Sequence, residues 1–595
     1  MQKTITVRAF IGGALAVAML AAPLLAAPLL AAATEPVGGA GAGRDDAARA
    51  DRLLHNARVY TLDPEQPWAE AVAIAGDRLV YVGDMAGAAD YVDADTQRLD
   101  LGGKLVLPGF IDTHIHVGDT FPWVFAASLS PDMGPGEVLA TVAEYARANP
   151  EQGLIIGNGF LGAAFGEQGP TAAQLDQVVP DRPVMLFDEG FHTAWINSKA
   201  MAMVGLDART PDPVPGRHYY KRYPDGRPTG WLIEGGAFNW ISEKLGVSSP
   251  GRIARGAGAF LDTMSSMGIT AAFDAGMVDG GEATFALMER LVEEGELPVR
   301  IVGSLYTNTD DALATAMPTL RALNARFHSE FLDIRMLKVS LDGTVEAKTA
   351  YMLEPYVQPP GHRGDSLVSA DRTRETVLRA ARAGIDLHLH AIGDAAVRMG
   401  LDLAEAVREE VPDSGVRIAM CHIQVVDPAD VPRFGELDVI AQSTATWYVY
   451  DDVAEKYLGP ERLAHFYPLR SIAEGGARIT LGTDYPASWI GLDGLNPLFN
   501  IEMAMTRQPA GEAGFAVQPP VSERITLAQA IRAYTLDAAY QLRLEHDIGS
   551  LRAGKQADLV VLSDNLFEID TYAIHKARVL LTMVDGKIVY REGAE

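Results

Sequence analysis

One cysteine, Cys421, occurs in a chain of 595 residues. No internal disulfide can form. With Cys421 as the only cysteine, none stands directly after the apolar N-terminal stretch, which excludes a lipoprotein-type anchor. Exported proteins of the bacterial type fold without disulfides, so this scarcity does not argue against export. Positive charge is also in short supply: 50 lysines and arginines stand against 78 aspartates and glutamates, for a formal net charge of −28. A phosphate backbone or an anionic membrane surface needs a basic footprint that this composition lacks. Nucleic acid is therefore not an expected partner, and the acidity reads as a self-repelling, soluble surface. With a hydrophobic share of 48% and charged residues at 22%, the chain has the composition and length of a large α/β protein with additions.

The N-terminus reads as a secretory signal. Lys3 and Arg8 precede an apolar stretch from Ala9 to Leu30, followed by the small residues Ala31, Ala32 and Ala33. The stretch is also long enough to span a bilayer. The small-residue site and the Gly/Ala segment at 37–43 favour cleavage, which places a signal peptide at 1–33 and a flexible linker at 34–50. The expected location is periplasmic or secreted, without stable membrane association after cleavage.

Both ends of the mature chain are strand-rich. Ala71 to Ala75 and Leu79 to Val82 flank the turn Gly76-Asp77-Arg78, and Val579 to Val584 and Lys587 to Tyr590 flank Asp585-Gly586. These are hairpin signals. Segments 51–107 and 545–595 are expected to form one small β-sandwich. Between them, apolar runs alternate with helical patterns, and the run ending at His116 makes eight strand candidates. Such alternation predicts a (β/α)8 barrel over 108–544 rather than an open doubly wound sheet. The gap between the first two barrel strands is too long for one βα unit. An inserted subdomain over the catalytic face is expected at about 117–251.

The chemistry sits at strand ends. Along Leu105-Val-Leu-Pro-Gly-Phe-Ile-Asp-Thr-His114-Ile-His116 the side chains alternate, so the two histidines project together. Later runs end near Lys338, at His388-Leu-His390, at His422 and at Asp484. Independent strands that each deliver a metal-competent or titratable group predict a divalent metal site at the barrel mouth. His388 lies one step deeper than His390 and is expected to pack rather than ligate. Cys421 is expected to face the helices, opposite His422, as a buried structural thiol.

The order His-x-His, Lys, His, His, Asp resembles the amidohydrolase superfamily. The closer likeness is to its amidohydrolase-3 branch, which includes N-substituted formamide deformylases and YtcJ-like proteins. Matching pieces are the Leu107 to His116 run, His192-Thr-Ala-Trp-Ile-Asn-Ser-Lys-Ala200, Gly268-Ile-Thr-Ala, His390-Ala-Ile-Gly-Asp394, Leu481-Gly-Thr-Asp484-Tyr-Pro486 and Gly554-Lys-Gln-Ala-Asp558. The resemblance implies His114, His116 and Asp484 around one ion, zinc being the first expectation, and His390 and His422 around a second. It implies a carboxylated Lys338 bridging the two, metal-bound hydroxide as nucleophile, and Asp484 as the proton shuttle. His192, Trp195, Gln424, Trp447 and Tyr485 are candidate substrate contacts. The chain departs from the family at Gly157-Asn-Gly-Phe160, where a tryptophan is common, and at Arg417-Ile-Ala-Met-Cys-His422, where an acidic residue often precedes the histidine.

The activity so implied is hydrolysis of an amide-like C–N bond in a small molecule. An ester or lactone hydrolase is the alternative on the same centre. A non-catalytic binding barrel is an alternative of another class, against which the full set of ligands counts. One or two ions, and a monomer or a homo-oligomer, remain open at this level.

Overall fold

The computed structural model describes residues 49–166, 168–276 and 281–593. The signal peptide and most of the linker expected from the sequence lie outside these residues. Eight parallel strands form the central sheet, in sequence order from one edge to the other. They are β1 (Phe110–Ile115), β2 (Ile269–Asp274), β3 (Arg300–Thr307), β4 (Leu332–Ser340), β5 (Leu387–Ala391), β6 (Ile418–His422), β7 (Val439–Ser443) and β8 (Ile479–Leu481). Each is buried along most of its length, as strands covered on both faces must be. The sheet curls until β8 meets β1, where polar groups join the seam. Thr113 Oγ1 donates to the Leu481 carbonyl at 2.8 Å, the Asp484 N–H donates to the His114 carbonyl at 2.7 Å, and Thr483 Oγ1 donates to Asp112 at 2.6 Å. The expected barrel is present.

The apolar run from Leu105 to His116 is not one strand. Leu105–Pro108 belongs to an outer sheet, and Phe110–Ile115 opens the barrel. Gly109 makes the change possible: a Cβ there would lie 2.2 Å from the Thr270 side chain. Two outer sheets pack on each other. One holds Arg52–His55, Ala71–Ala75, Arg78–Gly83 and Gln97–Asp100. The other interleaves Arg58–Tyr60, Trp68–Ala69 and Leu105–Pro108 with the late strands Leu559–Leu562, Val579–Val584 and Lys587–Arg591. Leu54, Val72 and Leu79 from the first meet Val106, Val561 and Met583 from the second in a shared apolar core. The sandwich is thus stitched from both ends of the chain. Buried Arg300, at the start of β3, pairs with Asp558 and Asp585 and fastens the sandwich beneath the barrel.

Between β1 and β2 the chain builds a six-stranded sheet with helices Pro135–Ala148 and Gly235–Leu245, and it has apolar cores of its own. Two helical stretches, at 460–474 and 527–544, are each interrupted. Pro460 to Glu474 becomes Pro460–Leu463 and Leu469–Glu474, with Tyr467 at φ +48° and Pro468 unable to donate a backbone hydrogen bond. Leu527 to Leu544 becomes Leu527–Ala533 and Leu536–Gln541, where Thr535 leaves helical geometry and its hydroxyl caps the Ile531 carbonyl.

Candidate metal centre

Register in the parallel ladder sets the levels of the site. Lys338, His388 and Ala419 share one level on neighbouring strands, and Ser340, His390 and Cys421 share the next. Cys421 therefore faces the barrel interior, contrary to the expectation from alternation. Its Sγ lies 3.1 Å from Lys338 Nζ, and burial pushes its thiol up to about 12. His422 turns inward as well because its φ is +71° and that of Ile423 is +46°, so the strand's period of two ends there. Asp484 is likewise left-handed, at φ +52°.

Three ligand atoms converge across the β1–β8 seam. His114 Nε2 is 3.2 Å from Asp484 Oδ1, His116 Nε2 is 3.4 Å from the same oxygen, and all three lie within 4.8 Å of one another. His422 Nδ1 is 3.8 Å from Asp484 Oδ2, and the His390 and His422 ring centroids are 4.6 Å apart. Lys338 Nζ is 3.3 Å from His114 Nε2. A second grouping of potential ligands, His114, His388 and Cys421, lies just beneath.

The far sides of the rings are tied down. His116 Nδ1 donates to the Gly276 carbonyl at 2.8 Å, His390 Nδ1 donates to Asp342 Oδ1 at 3.2 Å, and His114 Nδ1 shares a 3.0 Å hydrogen bond with His388 Nε2. Such partners orient an imidazole so that its other nitrogen points into a site. His388 thus supports His114 from behind, as its depth in the strand suggested. Asp112, deeper on β1, accepts the backbone N–H groups of His114 and Thr483 and braces the seam.

These residues fit a divalent cation. Burial holds His114, His390 and His422 well below the usual imidazole range, so they are neutral, as a ligand must be. For Asp484 burial raises the carboxyl, but the hydrogen bond from His116 and the nearby positive charge, that of Lys338 included, outweigh it and hold the carboxyl below its ordinary range. His422 Nδ1 is buried without a hydrogen-bond partner. At His116 burial lowers the imidazole, but the Asp484 hydrogen bond and charge outweigh it and raise it, so a cation bound there would displace a proton. A His-rich set with one carboxylate suits zinc and several other first-row metals.

The candidate substrate contacts divide. His192 and Trp447 line the cavity above the centre, together with residues of the insertion. Trp447 stacks on His422 with centroids 5.1 Å apart at 14°. His192 Nδ1 donates to Glu234 Oε2 at 2.7 Å. Burial alone would lower this imidazole, but the Glu234 and Asp188 carboxylates overcome that and raise it to about 9. Trp195, Gln424 and Tyr485 are not on the cavity wall. Trp195 is fully buried in the insertion, its Nε1 donating to the Thr171 carbonyl, because alternation along its short strand turns it into the apolar core on the opposite face from Ala194 and Ile196. Gln424 is buried after β6, and its carbonyl accepts the Tyr467 N–H. The Tyr485 ring stacks on Phe260 at 5.7 Å, away from the centre.

Glu234, Asp342 and Asp112 went unassigned at the sequence level. Period-two alternation from His114 points to Asp112, and Asp342 follows Lys338 closely, but nothing in the local sequence marks Glu234. It stands at φ +63° before helix Gly235–Leu245, where Thr349 Oγ1 donates to its second oxygen. The antiparallel pairing of Thr193–Ile196 with Pro228–Ile233 inside the insertion brings it to His192, whose carbonyl accepts the Glu234 N–H at 2.8 Å.

The sequence comparisons agree with this architecture. Residues 97–590 match the Amidohydrolase family. The exoenzymes regulatory protein AepA of Pectobacterium carotovorum subsp. carotovorum is 32% identical over 73% of this chain and 94% of its own. The N-substituted formamide deformylase of Arthrobacter pascens is 27% identical over 91% of this chain and 98% of its own. Among solved structures, an uncharacterized metal-dependent hydrolase from Pyrococcus horikoshii OT3 superposes with a TM-score of 0.69 at 22% identity, covering 87% of this chain and 99% of that one. The barrel, the converging strand ends and the extent of the family match lead to one assignment: the chain belongs to the amidohydrolase family, metal-dependent hydrolases of carbon–nitrogen bonds other than peptide bonds.

Proposed function

We propose that this protein is an exported hydrolase that opens an amide-like C–N bond in a small molecule. The observation that carries the reading is the convergence of His114 Nε2, His116 Nε2 and Asp484 Oδ1 within 4.8 Å of one another at the floor of a cavity roofed by the insertion. His114, His116 and Asp484 would hold one divalent ion, and His390 and His422 a second, with Lys338, carboxylated by CO2, between them. A carbamate supplies two anionic oxygens where an ammonium supplies none. Bound there, a zinc-type ion acidifies a water to a pKa of about 7 and polarises a carbonyl.

The protein's own groups do the rest. Asp484, buried and ionised beside two imidazoles, accepts the proton of the attacking water and returns it to the departing nitrogen. Its left-handed backbone, anchored to the His114 carbonyl, aims the carboxylate across the seam. His192, held by Glu234 against the ring of His390 with centroids 5.4 Å apart, faces the space where a carbonyl oxygen would gain charge. The aromatic roof excludes water from the reacting atoms.

Asp484→Asn tests the scheme. Turnover should fall by about a thousandfold or more, in line with loss of a general base coupled to ligation, while metal analysis still finds most of the ion bound. A variant that keeps full activity defeats the mechanism. Wild-type protein that, prepared natively, carries far less than one equivalent of metal supports the non-catalytic alternative instead.

A further inference from the structure

Among the described residues, one tyrosine reaches the cavity wall, Tyr306, and Ser340 reaches the wall beside it. Tyr306 lies near the C-terminal end of β3, level with Lys338 on β4 in the parallel ladder. Its side chain therefore turns the same way as that lysine, into the barrel mouth, where reacting groups of such barrels gather. Room for so large a ring comes from Gly276, just after β2. Its φ is +108°, and a Cβ on it would lie 2.5 Å from that of Tyr306. The carbonyl of the same glycine accepts from His116 Nδ1 at 2.8 Å. One short piece of backbone thus seats the phenol and aims a candidate ligand.

A phenylalanine would fill this seat equally well, so packing does not explain the hydroxyl. Its oxygen lies 3.3 Å from Ser340 Oγ, longer than the roughly 2.7–2.8 Å typical of a hydroxyl pair. As a tie between β3 and β4 the contact is redundant. Thr307 Oγ1 already donates to the Lys338 carbonyl at 2.8 Å, and the two backbones pair from Ile301 to Thr307. Either hydroxyl can be the donor. With Ser340 donating, the phenolic proton is left for the cavity. Burial, with the charges of Glu234 and Asp119, raises the phenol to about 12 against the opposing bonds of Ser340 and Asn308. At neutral pH the group is a proton donor.

Attack of hydroxide on an amide carbonyl moves an electron pair onto the carbonyl oxygen. A fixed donor aimed at that oxygen lowers the barrier most where water is excluded. Trp123, Phe187, Phe191 and Phe238 line the cavity and make its roof apolar. The positive charge of His192 is already matched by Glu234 at 2.7 Å, and the carboxylate of Asp484 also faces the cavity. A neutral donor that needs no counter-charge complements such a wall. We propose that Tyr306 is a catalytic residue whose O–H donates to the carbonyl oxygen as that oxygen gains charge, with Ser340 donating to the phenol and fixing its direction. No proton is transferred at Tyr306; its hydrogen bond strengthens as the acceptor becomes an anion. The inference rests on the hydrolase reading of the centre.

The test uses the zinc-loaded full protein, as wild type and as Tyr306→Phe, which keeps the ring on Gly276 and removes only the oxygen. Hydrolysis of 4-nitroacetanilide and 4-nitroformanilide is followed by release of 4-nitroaniline, and zinc content is measured on the same samples. In the variant kcat should fall by about 100- to 1000-fold, the usual cost of one such donor, with KM within about threefold. Zinc content should not change. Calorimetry with methylphosphonate, a tetrahedral anion shaped like the adduct, should show binding weakened by about tenfold or more. A variant with wild-type kcat and phosphonate affinity overturns the catalytic role and keeps the hydrolase reading. A loss of kcat that tracks a loss of zinc does the same, and makes Tyr306 a support for His116. If wild type cleaves neither anilide while phosphonate binding still depends on the phenol, the hydrolase reading falls and the donor stands. Neither turnover nor phenol-dependent binding overturns both.

Discussion

His114, His116 and His390 are each aimed by a partner on the far side of the ring, outside the expected ligand set. Asp342 is the clearest case: one carboxylate oxygen accepts from His390 Nδ1 and the Ile392 N–H, and the other accepts from Gly393 and Tyr351 N–H groups. Removing it as Asp342→Ala frees the ring to rotate and should cost about 10- to 100-fold in metal affinity. Competition against a chromophoric chelator measures this; unaltered affinity would show that His390 needs no such support. Cys421 teaches the limit of local pattern at this scale. Strict alternation puts it outside if His422 is inside, yet both reach the interior because His422 and Ile423 adopt positive φ. Backbone dihedrals of this kind depend on what surrounds the strand end, and no residue type at 421–423 announces them.

Among the elements, the seams carry the polar work. Arg300 joins β3 to the sandwich by pairing with Asp558 and Asp585, all below the barrel. In Arg300→Met, Asp558 is left buried without its cation, which should destabilise the protein by about 3–5 kcal/mol. Chemical denaturation should show this, and adding Asp558→Leu to the same protein should restore much of it. An Arg300→Met protein as stable as wild type would mean the sandwich is held by apolar contact alone.

A second tie joins the start of β6 to the C-terminal region, where Arg417 donates to both oxygens of Glu545, at 3.1 and 2.6 Å. Burial pushes the Glu545 carboxyl up, and the Arg417 hydrogen bonds and charge more than reverse this, leaving it below its ordinary value. A lowered folded-state pKa adds stability above the unfolded value of about 4.3 and loses it as pH falls through the folded one. Glu545→Gln should therefore lower the melting temperature at pH 6, by an amount equivalent to about 1–2 kcal/mol. The gap from wild type should close below about pH 4. A gap that persists in acid would assign the loss to packing rather than to the ion pair.

At the scale of the whole molecule, the architecture divides labour: the barrel supplies ligands, the insertion supplies the roof, and the sandwich closes the chain on itself. The proposed export belongs here too: it rests on the basic and apolar N-terminal stretch ending in Ala31, Ala32 and Ala33, and the single cysteine does not argue against it. Expressed in a Gram-negative host, the protein should be recovered from the periplasmic fraction with an N-terminus near Thr34 on sequencing. Intact Met1 on a cytoplasmic product would remove that reading.

The barrel was legible from the chain itself because its information is local. A strand repeats every two residues, helix patterns separate the strands, and a ligand at a strand end stays at a strand end wherever the strand is placed. His114, His116, Lys338, His390, His422 and Asp484 meet for that reason, six residues read from short runs and gathered by parallel register. The break at Gly109, the inward thiol of Cys421, the burial of Trp195 and the arrival of Glu234 at His192 were not legible. Each is set by contact between segments far apart in sequence, where packing and hydrogen bonding override what neighbouring residues prefer. Only the tertiary structure therefore decided which aromatic residues of the insertion roof the cavity and which merely fill its core.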